Sequence, residues 1–198
     1  KQRWWSMTAK PLVDERGSAI GWRGVARDVT QARIADRRLA WLAHYDTLTG
    51  LTNRAHFRVL LEGALQNSRT RLSQGAVMCL DLDGFKNVND THGHDVGDLL
   101  LQEAAVRLRS CVRDTDLVAR LGGDEFTLVI EGMEAAQHAA QIAQKLLDRM
   151  TEPFYLAGET EHISASIGVT VFPDDGRDRD ELIQQADQAM YAAKRAGR

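Results

Sequence analysis

Arg120-Leu121-Gly122-Gly123-Asp124-Glu125-Phe126 constrains this chain more than any other stretch. Leu117-Val118-Ala119 precedes it and Phe126-Thr127-Leu128-Val129-Ile130 completes it, two β-prone runs joined by a glycine pair. That pattern predicts a β-hairpin with a tight turn. Glycine tolerates positive φ and, lacking a side chain, lets another molecule approach the backbone closely. Asp124 and Glu125 sit at the tip, where folding alone gives no reason for two adjacent acids. Gly-Gly-Asp turns also occur in ordinary hairpins. The stretch gains weight from a second acidic group, Asp81-Leu82-Asp83, which ends another apolar run.

With 198 residues, 43% of them hydrophobic and three of them proline, the chain can bury one domain's core and carry an appendage. A net charge of −3 gives no general attraction for nucleic acid or an anionic membrane, so a phosphate ligand must be held by local groups. Cys79 and Cys111 lie in apolar stretches and read as buried thiols in a reducing compartment rather than a disulfide. No run is long and apolar enough to span a bilayer and no signal peptide opens the chain, which predicts a cytoplasmic fragment without direct membrane insertion. The chain starts mid-pattern without Met, which reads as a piece of a longer protein; tethering elsewhere in that protein stays open.

Residues 3–29 alternate like strands around the polar turn Asp14-Glu15-Arg16-Gly17-Ser18, with Trp4, Trp5 and Trp22 as hairpin packing. Thr30 is placed to cap a helix through about Tyr45, with Ile34, Trp41 and Leu42 on one side. Asn53 caps a helix carrying Phe57, Leu60, Leu61 and Ala64, and Gly75 to Leu82 reads as a buried strand. A helix over 95–113 follows, then the hairpin, a helix from Glu134 to Met150 and a short strand near Phe154 pairing with Ile163 to Phe172. A last helix starts near Asp180 and buries Leu182, Ile183, Ala186, Met190 and Ala193. Without the additions the order is βαββαβ: an α+β, ferredoxin-like core with a mainly antiparallel sheet flanked by helices.

In that arrangement Asp81 and Asp83 approach Asp124 and Glu125, and four carboxylates so placed repel one another unless a cation sits among them. Hard divalent ions take oxygen ligands, and Mg²⁺ typically takes one or two carboxylates plus substrate phosphates. The plainer alternative is a pair of solvated acidic turns. Gly84-Phe85-Lys86 begins a turn with free backbone amides beside a lysine, a phosphate cradle that is not a P-loop. Lys194 and Arg198 lie one helical turn apart and share a face.

The motifs Asp46-x-Leu48-Thr49-Gly50-Leu51-x-Asn53-Arg54, Asp81-x-Asp83-x-Phe85-Lys86-x-x-Asn89-Asp90 and Gly93-His94-x-x-Gly97-Asp98 occur in order. With the glycine-pair hairpin, Ser166-Ile167-Gly168-Val169 and Tyr191-x-Ala193-Lys194-x-x-Gly197-Arg198, they make residues 46–198 resemble a GGDEF domain of the diguanylate cyclase family. Gly24-Val25-Ala26-Arg27-Asp28-Val29-Thr30 resembles the end of a PAS sensor domain, giving residues 1–30 as its C-terminal fragment and 31–45 as a linker (signalling) helix. The fold so implied is that of nucleotidyl cyclases and polymerase palms.

The resemblance implies GTP as substrate and cyclic di-GMP as product. Asp81, the carbonyl of Leu82 and Asp124 would hold two Mg²⁺, with Mn²⁺ possible. Asp124, Glu125 and Lys86 are the catalytic candidates, and the identity of the general base stays open. Lys86, Lys194 and Arg198 would neutralise phosphates, Gly84, Phe85 and Gly123 would line the substrate, and Asn89 and Asp98 would read guanine. A carboxylate accepts from guanine N1–H and N2–H₂, donors that adenine lacks there, so Asp98 argues for GTP over ATP. One GTP per domain implies a homodimer with facing sites. Arg113 and Asp116, at the spacing of the family's inhibitory site, imply feedback by the product. His92 and His94 beside Asp95 and Asp98 could suggest a transition-metal site, but His94 belongs to the family's turn pattern, where it is structural, and a metal role is the lesser reading. A catalytically silent GTP- or cyclic di-GMP-binding module and a mononucleotide cyclase are the competing readings.

Overall fold

Alternating side chains around a polar turn make the first two strands. In the computed structural model, which describes residues 2–133 and 136–196, β1 (Trp5–Val13) and β2 (Ala19–Asp28) pair antiparallel. Asp14 Oδ1 holds their turn by accepting from the amides of Arg16 and Ser18. Trp5 and Trp22, expected as packing, are 55% and 72% exposed, since a two-stranded hairpin has too little of its own to bury them. α1 (Thr30–His44) follows. Thr30 does not cap it as expected: its hydroxyl oxygen accepts from the Trp4 amide at 2.8 Å, and Asp28 Oδ1 takes the Thr30 amide at 2.9 Å.

The chain forms two compact units, residues 1–43 and 44–198. The second contains α2 (Arg54–Arg71), β3 (Gln74–Asp83), α3 (Phe85–His92), α4 (His94–Cys111), β4 (Leu117–Gly122), β5 (Glu125–Met133) and α5 (Ala136–Thr151). It continues with β6 (Phe154–Leu156), β7 (Glu159–Glu161), β8 (Ser164–Phe172) and α6 (Arg179–Arg195). The sheet order is β4-β5-β3-β8, antiparallel throughout, which is the expected ferredoxin-like α+β core.

Strand alternation sorts β3 onto two helix layers. Ala76, Met78, Leu80 and Leu82 pack with Leu100 and Leu108 of α4 and Leu146 of α5. Val77 and Cys79 pack with Phe57 and Leu61 of α2 and Leu182 and Ala186 of α6. Asp81 and Asp83 continue that second face. Asn53 caps α2 as expected, accepting from the His56 amide at 2.9 Å, whereas Leu60 is 38% exposed at the rim of the helix's buried face. Cys79 and Cys111 are both buried free thiols, and burial pushes Cys79 up to about 12.

Three expectations about element bounds and pairing also change. Phe154 belongs to β6, which pairs with β7, because Ala157 and Gly158 at positive φ turn the chain straight back; β8 pairs with β3 instead. The helix expected over 95–113 is α4, ending at Cys111, and Gly93 separates it from the additional helix α3. The helix expected from Glu134 runs from Ala136, and Glu134 lies outside the described residues.

Candidate active site

The carboxyl end of β3 meets the tip of the β4–β5 hairpin. Asp81 lies opposite Glu125 in the ladder, and one residue on the Leu82 amide donates to the Asp124 carbonyl at 3.3 Å. This bond draws Asp81, Leu82 and Asp124 into one place. The hairpin turns through Gly122 and Gly123, at φ +143° and +54°, the second of them a left-handed conformation that glycine adopts without strain.

Arg120 holds the turn from behind. Its Nε and Nη2 donate to the Gly123 carbonyl at 2.9 and 2.8 Å, and its Nη1 donates to Asp46 Oδ1 at 3.1 Å. Asp46 Oδ1 also accepts the amide and hydroxyl of Thr49. On the other side Arg54 Nε donates to the Leu121 carbonyl at 3.1 Å, and its Nη2 lies 3.8 Å from Glu125. Sequence reasoning gave no role to Arg120 or Arg54. The signal available was their position inside ordered motifs, without any hint that they reach one another's loops.

Burial pushes the Asp124 carboxyl up, and repulsion from Asp81 adds to this while Lys194 and Arg120 pull it back in part. Burial also raises Glu125; Arg54 opposes the shift, and Asp187, Asp81 and Asp124 reinforce it. Lys194 Nζ donates to Asp81 Oδ1 at 2.6 Å, and that bond holds the ammonium above its usual range. Lys194, expected on phosphate, therefore sits on an acid here. Arg198, expected beside it, lies outside the described residues.

The expected notch of four acids is smaller. Asp83 is 2% exposed, and the hydroxyls of Ser164 and Ser166 donate to it at 2.9 and 3.1 Å. The register that pairs Asp83 with Ser164 on β8 supplies these donors and draws the carboxylate away. Among the described residues no three His, Cys, Asp or Glu side chains stand together as a metal cluster. Asp81, Asp124 and the Leu82 main chain make up the oxygen-rich corner, with Glu125 beside it. A groove of about 650 Å³ between α2 and α6 opens beside Glu125, lined by Arg54, Arg58, Thr127 and Asp187; no sequence pattern pointed to it.

α3 begins directly after the acids, with Gly84 at φ +84° as its N-cap and no side chain capping its first amides. Phe85 leans on the core, and Lys86 is exposed. Asn89 is half-buried, its Oδ1 has no protein hydrogen-bond partner, and a Cβ at Gly97 would collide with that oxygen. Asp98 is exposed one residue further along α4. Asn89 and Asp98 thus flank the same α3–α4 contact. His92 Nε2 pairs with Glu161 Oε1 at 2.8 Å.

A family model described as "Diguanylate cyclase, GGDEF domain" matches residues 43–198. The chain belongs to the GGDEF family. The bifunctional diguanylate cyclase/cyclic di-GMP phosphodiesterase MucR of Pseudomonas aeruginosa is 49% identical over 169 residues, covering 85% of this chain and 24% of MucR. The chain thus spans about a quarter of that relative's length. The isolated GGDEF domain of TpbB from Pseudomonas aeruginosa is 40% identical with a TM-score of 0.76, over 77% of this chain and 90% of that one. The coiled coil and GGDEF domain of DgcB from Caulobacter crescentus, solved in complex with c-di-GMP, is 27% identical with a TM-score of 0.75, over 86% of this chain and 90% of that one.

Elsewhere in the GGDEF unit, Arg113 and Asp116 close a turn on themselves. The Arg113 amide donates to Asp116 Oδ2 at 2.9 Å, and the Asp116 amide returns a bond to the Arg113 carbonyl at 3.1 Å. Asp116 is 5% exposed, whereas Arg113 is exposed at the edge of a hollow of about 380 Å³ shared with His138, Gln141 and Lys145 of α5. Arg109 braces this turn through the carbonyls of Asp114 and Asp116.

Proposed function

We propose that residues 46–198 condense two GTP into cyclic di-GMP with release of two pyrophosphates. The observation that carries this reading is the Leu82–Asp124 backbone bond, which sets two carboxylates and a main-chain segment beside an uncapped helix start. In-line attack by the 3′-OH of one GTP on the α-phosphate of the other needs close positioning and charge neutralisation. The free amides after Gly84 and the Lys86 ammonium would hold phosphate oxygens, and Lys194 would move from Asp81 to the same task. Asn89 and Asp98 would take guanine, where the Asp98 carboxylate selects the base with N1–H and N2–H₂ donors.

The donor set fits a hard divalent ion: Asp124 and Glu125 are pushed up by burial and neighbouring negative charge, and Asp81 already holds a cationic group at 2.6 Å. Asp81, the Leu82 carbonyl and Asp124 would hold Mg²⁺, or Mn²⁺ in its place, which when bound supplies charge stabilisation at the phosphoryl group and acidifies the attacking hydroxyl. Two such domains would face one another in a homodimer, since each contributes one nucleotide. Arg113 and Asp116 would bind the product and restrain the dimer, with residues 31–45 as a signalling helix and 1–30 as the end of a PAS domain.

The test is incubation with GTP and Mg²⁺ at several protein concentrations, with identification of the nucleotide formed. Cyclic di-GMP, with specific activity falling on dilution, is the expected result. GTP binding without pyrophosphate release would instead identify a silent regulatory module.

A further inference from the structure

α3 has eight residues, too few to hold a helix in water by its own hydrogen bonds, and a glycine at φ +84° bounds it at each end. Among the described residues of α3, Val88 is the buried one. Its orientation therefore depends on side chains that reach neighbouring elements. Asn89 presses its carboxamide against Gly97 of α4. Three residues on, and so on the same face, His92 Nε2 meets Glu161 Oε1 of β7 at 2.8 Å. The Gly93 amide closes onto the Asn89 carbonyl at 2.9 Å, so Asn89 and His92 belong to one last turn.

Glu161 offers a fixed anchor. Arg107, 6% exposed, donates to the carbonyls of Glu152 and Pro153 at 2.7 Å each and lies 3.6 Å above the Phe154 ring, which pairs with Glu161 across β6 and β7. The side chains of His92 and Glu161 are 27% and 22% exposed, more sheltered than the surface pairs that contribute little.

We propose that His92 and Glu161 form a positioning strut for base recognition: the pair pins the last turn of α3 to the β6–β7 hairpin and so presents Asn89 to guanine. This rests on the reading of the site as a GTP site. Neither residue touches the nucleotide; each acts through the helix.

Binding of 3′-deoxy-GTP, which lacks the attacking hydroxyl, is measured by calorimetry on the whole chain with Mg²⁺, beside 3′-deoxy-ATP. Glu161→Ala and His92→Ala each lower affinity for the guanine nucleotide about fivefold, the order expected for a sheltered charge-assisted bond, and leave the weak adenine affinity unchanged. The double substitution is no worse than either single one. His92→Gln keeps an N–H donor and restores most of the affinity, and turnover at saturating GTP is preserved in it. Glu161→Gln keeps the test available should His92→Ala not fold. An unchanged guanine-to-adenine ratio in folded Glu161→Ala, or losses that multiply in the double variant, overturns the strut. Absence of 3′-deoxy-GTP binding to the unsubstituted chain overturns the site reading and the strut with it, a result distinct from loss of the strut alone.

Discussion

Arg120 Nη1 donates to Asp46 Oδ1 across 3.1 Å, and 74 residues of chain separate the two. The same guanidinium grips the Gly123 carbonyl with its other two nitrogens, so one planar group sets the turn that carries Asp124 and Glu125. Arg120→Lys keeps the charge but cannot reproduce this fork. It should lower cyclic di-GMP formation at least about tenfold, because a misplaced catalytic group is costly even when the shift is small. Steady-state rates beside thermal melts check this: the rate should fall far more than the melting temperature.

Asp46 should reveal itself at low pH. Burial works against its charge, but the Thr49 hydroxyl and amide and the Arg120 guanidinium outweigh it, and its carboxyl lies below the ordinary value of 3.8. A lowered acid contributes stability above its unfolded pKa and loses it as pH falls through the folded one. Asp46→Asn should therefore narrow its stability deficit against the parent chain as pH drops below about 4, measured by denaturant melts across pH.

Asp124 and Glu125 act in the opposite sense. Each carboxyl is raised, so its contribution to folding is present below the unfolded pKa and is lost as pH rises through the folded one. At neutral pH the charged pair weighs against the fold. Asp124→Asn should raise the melting temperature at pH 7 and abolish product formation, the trade expected where function keeps like charges together. The melting difference should shrink as pH approaches about 4. Mg²⁺ should raise the melting temperature of the parent chain more than that of Asp124→Asn, and EDTA should reverse that gain.

Lys194 neutralises Asp81 at 2.6 Å. Lys194→Met should leave that carboxylate unpaired, lowering the melting temperature in EDTA, and Mg²⁺ should restore more of it than it adds to the parent chain. Titration of the melting temperature with Mg²⁺ for both proteins checks the prediction.

Arg107 is a structural cation away from the nucleotide site. It pairs with Glu103, donates to three carbonyls at the end of α5 and covers Phe154. Arg107→Ala would leave these acceptors without their donor and Phe154 without its cover, costing about 3 kcal/mol. Urea unfolding of the two proteins provides the measurement.

What the sequence disclosed was mostly local. The run from Gly75 to Leu82, the glycine pair and the cap at Asn53 each carry their signal within a few residues, and the strand order follows from their succession. Asp81 was legible because it ends an apolar run that must enter the sheet, and Asp124 because it sits at the tip between two β-prone runs. Asp83 was not, because its fate depends on which β8 residues lie opposite it, a register fixed across some 80 positions. Arg120, Arg54 and Arg107 escaped for a related reason. An arginine on paper is a solvated cation until folding brings carbonyls to its fork.

The sheet order places β5 and β3 inside, with β4 and β8 as its borders. The strands carrying Asp81 and the Glu125 end of the signature are thus gripped from both flanks, while α3, between two glycine joints, is held by Val88 and the His92–Glu161 pair. Amide protons along Val77 to Leu80 should be among the last to exchange with heavy water, and those of α3 should exchange sooner, and sooner still in Glu161→Ala. The molecule would then work like a fixed anvil with a braced jaw, rigid where negative charge is concentrated and steadied by a single side-chain pair where a base must enter and leave.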